Sequence, residues 1–138
     1  MSYSRTSKKI IVNGTFDILH RGHLEMLNYA KSLGDFLLVA IDTDSRVTDL
    51  KGSCRPINNQ FDRMFLLSNL QAVDAVKVFN STDELINIIK DYNPDIMVKG
   101  SDYQDRNIIE TELVPKIIYY DRTEHSTTKT IQHIINRR

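Results

Sequence analysis

The sequence predicts an α/β fold, a single doubly wound (Rossmann-like) domain built on a five-stranded parallel sheet. Short apolar runs alternate with longer segments of helical period, the pattern of parallel strands joined by crossover helices. Turn signals punctuate that alternation. At 138 residues the chain has material for one hydrophobic core and not for two.

The five strands are expected at Lys9–Asn13, Phe36–Ile41, Asp74–Val78, Asp95–Lys99 and Lys116–Tyr120, with Gly14, Gly34, Asn93-Pro94, Gly100 and Pro115 at their flanks. Leu24, Leu27, Ala30 and Leu33 recur at helical spacing after His20, and Asp62 to Ala72 and Leu85 to Tyr92 carry similar stripes. A last helix fits Thr127 to Asn136, with Ile131, Ile134 and Ile135 facing inward. Residues 1–8 read as a flexible tail and 9–138 as the domain. In a doubly wound sheet ligands collect beyond the carboxyl ends of the strands, so site residues are expected just after strands.

Composition narrows the function classes. Lys plus Arg and Asp plus Glu both number 18, which gives no electrostatic reason to expect nucleic-acid binding. No apolar run approaches the roughly 20 residues of a membrane span, and the stretch Ile10 to Val12 is too short for a secretory signal. The single Cys54 cannot form an internal disulfide, which fits a reducing, cytoplasmic setting.

The chemistry concentrates after the first strand, in GTFDILHRGH from Gly14 to His23. His20 and His23 at i, i+3 share one face of the helix that follows, and Gly22 between them keeps the backbone bare. A phosphate could then approach the helix N-terminus, where N–H groups and the dipole favour an anion. Two structural histidines, or a shared metal ion, are the competing readings. Asp17 either caps the turn or helps hold Mg²⁺ through water, the cap being preferred.

GTFDILHRGH matches throughout the G-x-F-D-x-x-H-x-G-H hallmark of the cytidylyltransferase-like nucleotidyltransferases, and the chain resembles that family at four further places. These are LKGSCRP (Leu50 to Pro56), Asp62-Arg63-Met64, VKGSDY (Val98 to Tyr103) and RTEHSTT (Arg122 to Thr128). KGSCRP, LQAVDAVKVF and VKGSDY look like the adenylyltransferase domain that acts on D-glycero-D-manno-heptose 1-phosphate. RTEHSTT looks more like glycerol-3-phosphate cytidylyltransferase, whose segment reads R-T-E-G-I-S-T-T; here His125 replaces the Gly-Ile pair.

The resemblance implies transfer of a nucleoside monophosphate from an NTP, with Mg²⁺, to a phosphorylated small molecule. His20 and His23 would hold the α-phosphate and the pyrophosphate bridge, and Lys51 would join donor and acceptor phosphates. Arg63 would fix the nucleotide phosphates, while Arg55 suits the acceptor phosphate or a surface ion pair. Thr15 and Phe16 would contact the nucleotide, although Phe16 also suits the core. Gly100, Ser101, Asp102 and Tyr103 fall where a nucleotide or acceptor would lie, with Asp102 and Tyr103 able to read hydroxyls. Arg122, Thr123, Ser126, Thr127 and Thr128 would form a second anion site. The run Phe65-Leu66-Leu67 with Leu70 and Val73 exceeds one buried helix face, so a homodimer is expected. A noncatalytic nucleotide-binding domain is the alternative from another class.

Overall fold

The computed structural model describes residues 7–100, 112–121 and 127–136, and in the last helix the side chains of 131–135 only. Ser101, Asp102, Tyr103, Arg122, Thr123 and Ser126, and the side chains of Thr127 and Thr128, lie outside the described residues.

The described chain runs β1 (Lys9–Gly14), α1 (Arg21–Ser32), β2 (Phe36–Asp42), α2 (Asp44–Lys51), α3 (Gln60–Ser68), β3 (Ala75–Phe79), α4 (Thr82–Tyr92), β4 (Ile96–Gly100), β5 (Lys116–Tyr120) and α5 (Thr127–Asn136). The strands form one parallel sheet in the order β3-β2-β1-β4-β5. Strand order therefore reverses between β1 and β4, the point at whose carboxyl edge doubly wound sheets form their crevice.

Alternation along the central strands sorts the core into two layers. Ile10, Val12, Leu37, Val39, Ile41 and Val98 meet Leu27 and Ala30 of α1 and Leu67 of α3. Ile11, Leu38, Ala40 and Met97 meet Leu85 and Ile89 of α4 on the opposite face. Among the described residues no helix is long and apolar enough to cross a membrane.

Aspartates pin the amino edge and explain the strand boundaries. β3 and β4 start at Ala75 and Ile96, one residue later than the sequence suggests. Asp74 Oδ2 accepts from the backbone of Leu37 at 2.8 Å, and Asp95 Oδ2 accepts from that of Lys9 at 2.8 Å. Both residues act as side-chain anchors for neighbouring strands.

Three helical expectations are corrected. The segment Asp42 to Pro56, for which the sequence suggests no helix, contains α2, started by Thr43 whose side chain accepts from the Arg46 N–H at 3.2 Å. Only Val47 of that helix is buried, so it lacks the apolar stripe that betrays a helix in sequence. The expected helix from Asp62 to Ala72 starts earlier, behind the Asn59 cap, and ends at Ser68. In α5, Ile134 and Ile135 are exposed rather than inward, because α5 follows the edge strand β5 and no described strand lies beyond it.

The turn after α1 is packed without slack. A Cβ added at Gly34 would lie 2.8 Å from Ile10 Cδ1 and from the Lys8 carbonyl oxygen. That carbonyl already accepts from the Asp35 N–H at 2.8 Å, so it cannot retreat without breaking the β1–β2 junction. Gly34→Ala is accordingly expected to destabilise the fold by about 1–3 kcal/mol, the usual cost of overpacking. Urea denaturation of the variant measures this, and an unchanged midpoint would contradict the packing account.

Candidate active site

Four charged side chains are buried among the described residues, Asp17, Asp42, Arg63 and Lys99, and all four gather at the carboxyl edge of the sheet or in the segments just beyond it. Burial of charge is costly without compensating bonds, so such a concentration marks the edge where the fold is specialised.

From β1 the chain enters a contorted loop. Phe16 and Ile18 adopt left-handed backbone conformations, with φ of 54° and 47°. For bulky residues this is strained by about 1–3 kcal/mol each, and it persists only where the surroundings dictate it. Between them Asp17, 1% exposed, accepts from the backbone N–H groups of Ile57 and Asn58 at 2.7 and 2.9 Å. Its carboxylate thus ties two segments 40 residues apart. Of the two roles read for Asp17, the capping one comes nearer, but it reaches across the chain instead of closing its own turn. Both oxygens are engaged by backbone donors. Phe16 lies in the core, its ring centroid 5.3 Å from that of His23, so it supports the histidine instead of reaching out to a nucleotide.

The loop delivers His20 as the N-cap of α1. His20 Nδ1 accepts from the Gly22 N–H at 3.1 Å, and His23 Nδ1 accepts from the His20 N–H at 3.2 Å. This reciprocal arrangement is a capping box made from two imidazoles, which stack with centroids 3.9 Å apart. It has a chemical consequence. With each Nδ1 acting as acceptor, the neutral ring must carry its proton on Nε2, so the cap fixes both tautomers and makes each Nε2–H a donor. The structural reading describes what the rings do here: they cap the helix through Nδ1, and His20 Nε2 is itself buried. Among the described residues no group of three or more His, Cys, Asp or Glu is placed to share a metal ion.

Across the edge, Lys51 is the last residue of α2, exposed, followed by Gly52 at φ 101°. Its charge acts on Asp42 at the end of β2. The Arg55 side chain is mostly buried, with Nε 3.5 Å from Asp17 Oδ2, so it braces the loop instead of contacting an acceptor. Gly100 ends β4, paired with Tyr120 of β5, beside the crevice.

Arg63 departs most from expectation. Its side chain is fully buried and donates to the carbonyls of Asn58 (3.0 Å), Thr15 (2.9 Å) and Asp42 (2.9 Å) and to Asp44 Oδ1 (2.8 Å). A guanidinium committed in this way does not contact nucleotide phosphates. Thr15 likewise presents its carbonyl inward.

Two residues carried no assigned role in the sequence. Asp42, 8% exposed, lies 3.6 Å from Arg46 Nε, and burial raises its pKa above the ordinary carboxylate value against the opposing pull of Arg46, Lys51 and Arg63. Lys99 at the end of β4 has its pKa lowered by burial. A charged residue closing an otherwise apolar strand was the available signal for both.

Residues 11–133 match the family described as Cytidylyltransferase-like. The chain is 46% identical over 134 residues to the bifunctional protein HldE of Sulfurimonas denitrificans, covering 96% of this chain and 28% of that protein. It is 43% identical over 131 residues to HldE of Nitratiruptor sp., covering 94% of this chain and again 28% of the relative. The chain thus spans little more than a quarter of the length of these relatives. Among solved structures, the lipopolysaccharide core biosynthesis protein from Thermoplasma volcanium superposes with a TM-score of 0.70 at 26% identity, covering 87% of this chain and 99% of that one. Pantoate-beta-alanine ligase from Francisella tularensis gives a TM-score of 0.63 at 19% identity over 92% of this chain and 63% of that one, a likeness of fold.

The raised pKa of Asp42 sets a sign for stability. A carboxyl group with a folded-state pKa above its unfolded value penalises the fold once ionised. The penalty appears as pH rises through that interval and is relieved as pH falls. Asp42→Asn removes the titration. Its stability relative to wild type should therefore be more favourable at pH 7 than at pH 4, as read from urea melts at both. A pH-independent difference would show that the three cations cancel the effect of burial, and a difference of the opposite sign that they outweigh it.

Proposed function

The chain belongs to the cytidylyltransferase-like family of nucleotidyltransferases, and on that premise we propose that it transfers AMP from ATP to D-glycero-D-manno-heptose 1-phosphate, forming ADP-heptose and pyrophosphate. The observation that supports the chemistry is the histidine capping box, in which each Nδ1 accepts from the backbone and each neutral ring carries its proton on Nε2. The likeness to HldE over 88–97% of this chain supports the heptose-type acceptor. The glycerol-3-phosphate reading, with CTP as donor, rests on Arg122 to Thr128, where RTEHSTT follows the pattern of that enzyme. Retention of His20, His23 and Lys51 together weighs against a noncatalytic domain.

An acceptor phosphate oxygen forms a bond to the α-phosphorus as the bond to the pyrophosphate oxygen breaks, and the electron pair leaves with pyrophosphate. The attacking phosphate is largely dianionic near neutral pH, its second pKa being about 6, so no strong base is required. Positioning and charge stabilisation carry the rate. His20 and His23 donate to the α-phosphate and the bridging oxygen, and Lys51 draws donor and acceptor phosphates together. Mg²⁺ enters on the NTP and neutralises part of the triphosphate charge. The described carboxylates do not form a dedicated cage for it. With ATP as donor we assign the reaction to the cytoplasm.

We also propose a homodimer. Of the apolar run that suggested one, Leu67 and Val73 are buried and Leu70 packs on the core, but Phe65 and Leu66 are exposed, as is Phe61 earlier in α3. A strictly monomeric mass by light scattering at micromolar concentration would refute it.

Pyrophosphate release decides the reaction. ATP with heptose 1-phosphate should give the highest kcat/KM, CTP with glycerol 3-phosphate less, and phosphocholine with CTP least, since the chain has no Trp for a cation cage. A chelator should abolish release. His20→Ala or His23→Ala should lower turnover about 10²–10³-fold, the typical loss for one transition-state donor. Near wild-type turnover in either variant refutes the clamp.

A further inference from the structure

The site has two halves on different parts of the chain. The histidines stand at the entrance of α1, where the loop after β1 delivers them, and Lys51 rides on the arm formed by α2 and residues 52–58. Their relative position must be held within about an ångström, because misplacement on that scale costs about 10²-fold in rate.

Two buried side chains span the gap in opposite directions. Arg63 of α3 reaches the histidine loop through the Thr15 carbonyl at 2.9 Å and the end of β2 through the Asp42 carbonyl at 2.9 Å. The same guanidinium grips the arm at both ends, at Asp44 Oδ1 (2.8 Å) and the Asn58 carbonyl (3.0 Å). Asp17 reaches back from the histidine loop to the Ile57 and Asn58 N–H groups and to Arg55. Lys51 is therefore bracketed, with Asp44 tied before it and Arg55, Ile57 and Asn58 tied after it. Within the bracket, Lys51 to Cys54 are exposed.

We propose that Arg63 and Asp17 are positioning residues that together fix the separation of the His20–His23 pair from Lys51, acting on the transfer step and not on nucleotide binding. This rests on the nucleotidyl-transfer reading of the site. It replaces the phosphate-binding role read for Arg63 with an action through the loop and the arm, since a buried, committed guanidinium reaches the reaction only through the segments it holds.

The chain carries its own reporter. Cys54 is the single cysteine, lies in the arm between the ties, and is exposed, so a nitroxide attached there reads arm mobility without any reaction. Arg63→Lys keeps a charge but lacks the planar fork. Asp17→Asn keeps the shape but replaces one acceptor oxygen with a donor. In both variants the label should become more mobile and kcat should fall about 10²-fold. Affinity for a nonreacting NTP analogue, measured by calorimetry, should stay within about threefold of wild type. Added methylguanidinium should restore part of the kcat lost in Arg63→Ala.

Loss of NTP affinity with kcat retained would make Arg63 a phosphate ligand and overturn the proposal. Loss of kcat with an unchanged label spectrum would also overturn it, because the arm would not be the intermediary. Should the Arg63 variants fail to fold, Asp17→Asn carries the test, and wild-type kcat in it defeats the idea. If wild-type protein releases pyrophosphate with no substrate pair, the reaction reading fails, while label mobility still decides whether the two side chains hold the arm.

Discussion

The carboxyl edge of this protein depends on one buried guanidinium. Removing a charge from water costs several kcal/mol unless its N–H groups and its charge are both answered. Around Arg63 the answers come from the carbonyls of Thr15, Asp42 and Asn58 and the carboxylate of Asp44. The dependence runs both ways. None of those carbonyls lies inside a helix, and an apolar replacement for Arg63 would leave each of them to find a new donor. The arginine orders three chain segments that otherwise have little reason to meet.

That order makes the strained loop tolerable. Left-handed Phe16 and Ile18 would relax in isolation, yet the carbonyl before them is held by Arg63 and the carboxylate between them is held by the Ile57 and Asn58 N–H groups. The contortion brings His20 to the start of α1 with its Nδ1 turned onto the helix. The chain of cause is continuous: a buried guanidinium fixes the loop, the loop fixes the cap, and the cap fixes the tautomers.

Much of this was legible in the sequence, and the exceptions share a cause. Apolar periodicity located all five strands to within a residue or so, because parallel strands buried on both faces leave unmistakable runs. The spacing of His20 and His23 placed both rings on one helix entrance, which the capping box bears out. Short-range pattern could not reveal α2, which buries only Val47. Nor could it separate Arg55 and Arg63 by role. Arg55 pairs with Asp17 and Arg63 is sealed in the interior, although each appears in sequence as a cation suited to phosphate. What distinguishes them is burial set by contacts across up to 48 residues. Stripes on α3 and α5 misled for a related reason: period says that a face is apolar and says nothing of what covers it.

The same contacts show how cations can cluster in a chain of zero formal net charge. Arg46, Lys51 and Arg63 lie near enough to Asp42 for each to act on its carboxylate. Clustered cations repel one another, and Asp42 and Asp44 offset that repulsion within the fold, so the cluster exists without making the molecule basic. Beyond a Debye length of about 8 Å such a balanced cluster exerts little pull, and steering of anions from a distance is weak. Close in, the balance no longer hides the geometry: two imidazole donors of fixed tautomer stand on one side and a lysine at the exposed end of a helix on the other. The placement of these groups comes from the buried ties that hold the loop and the arm.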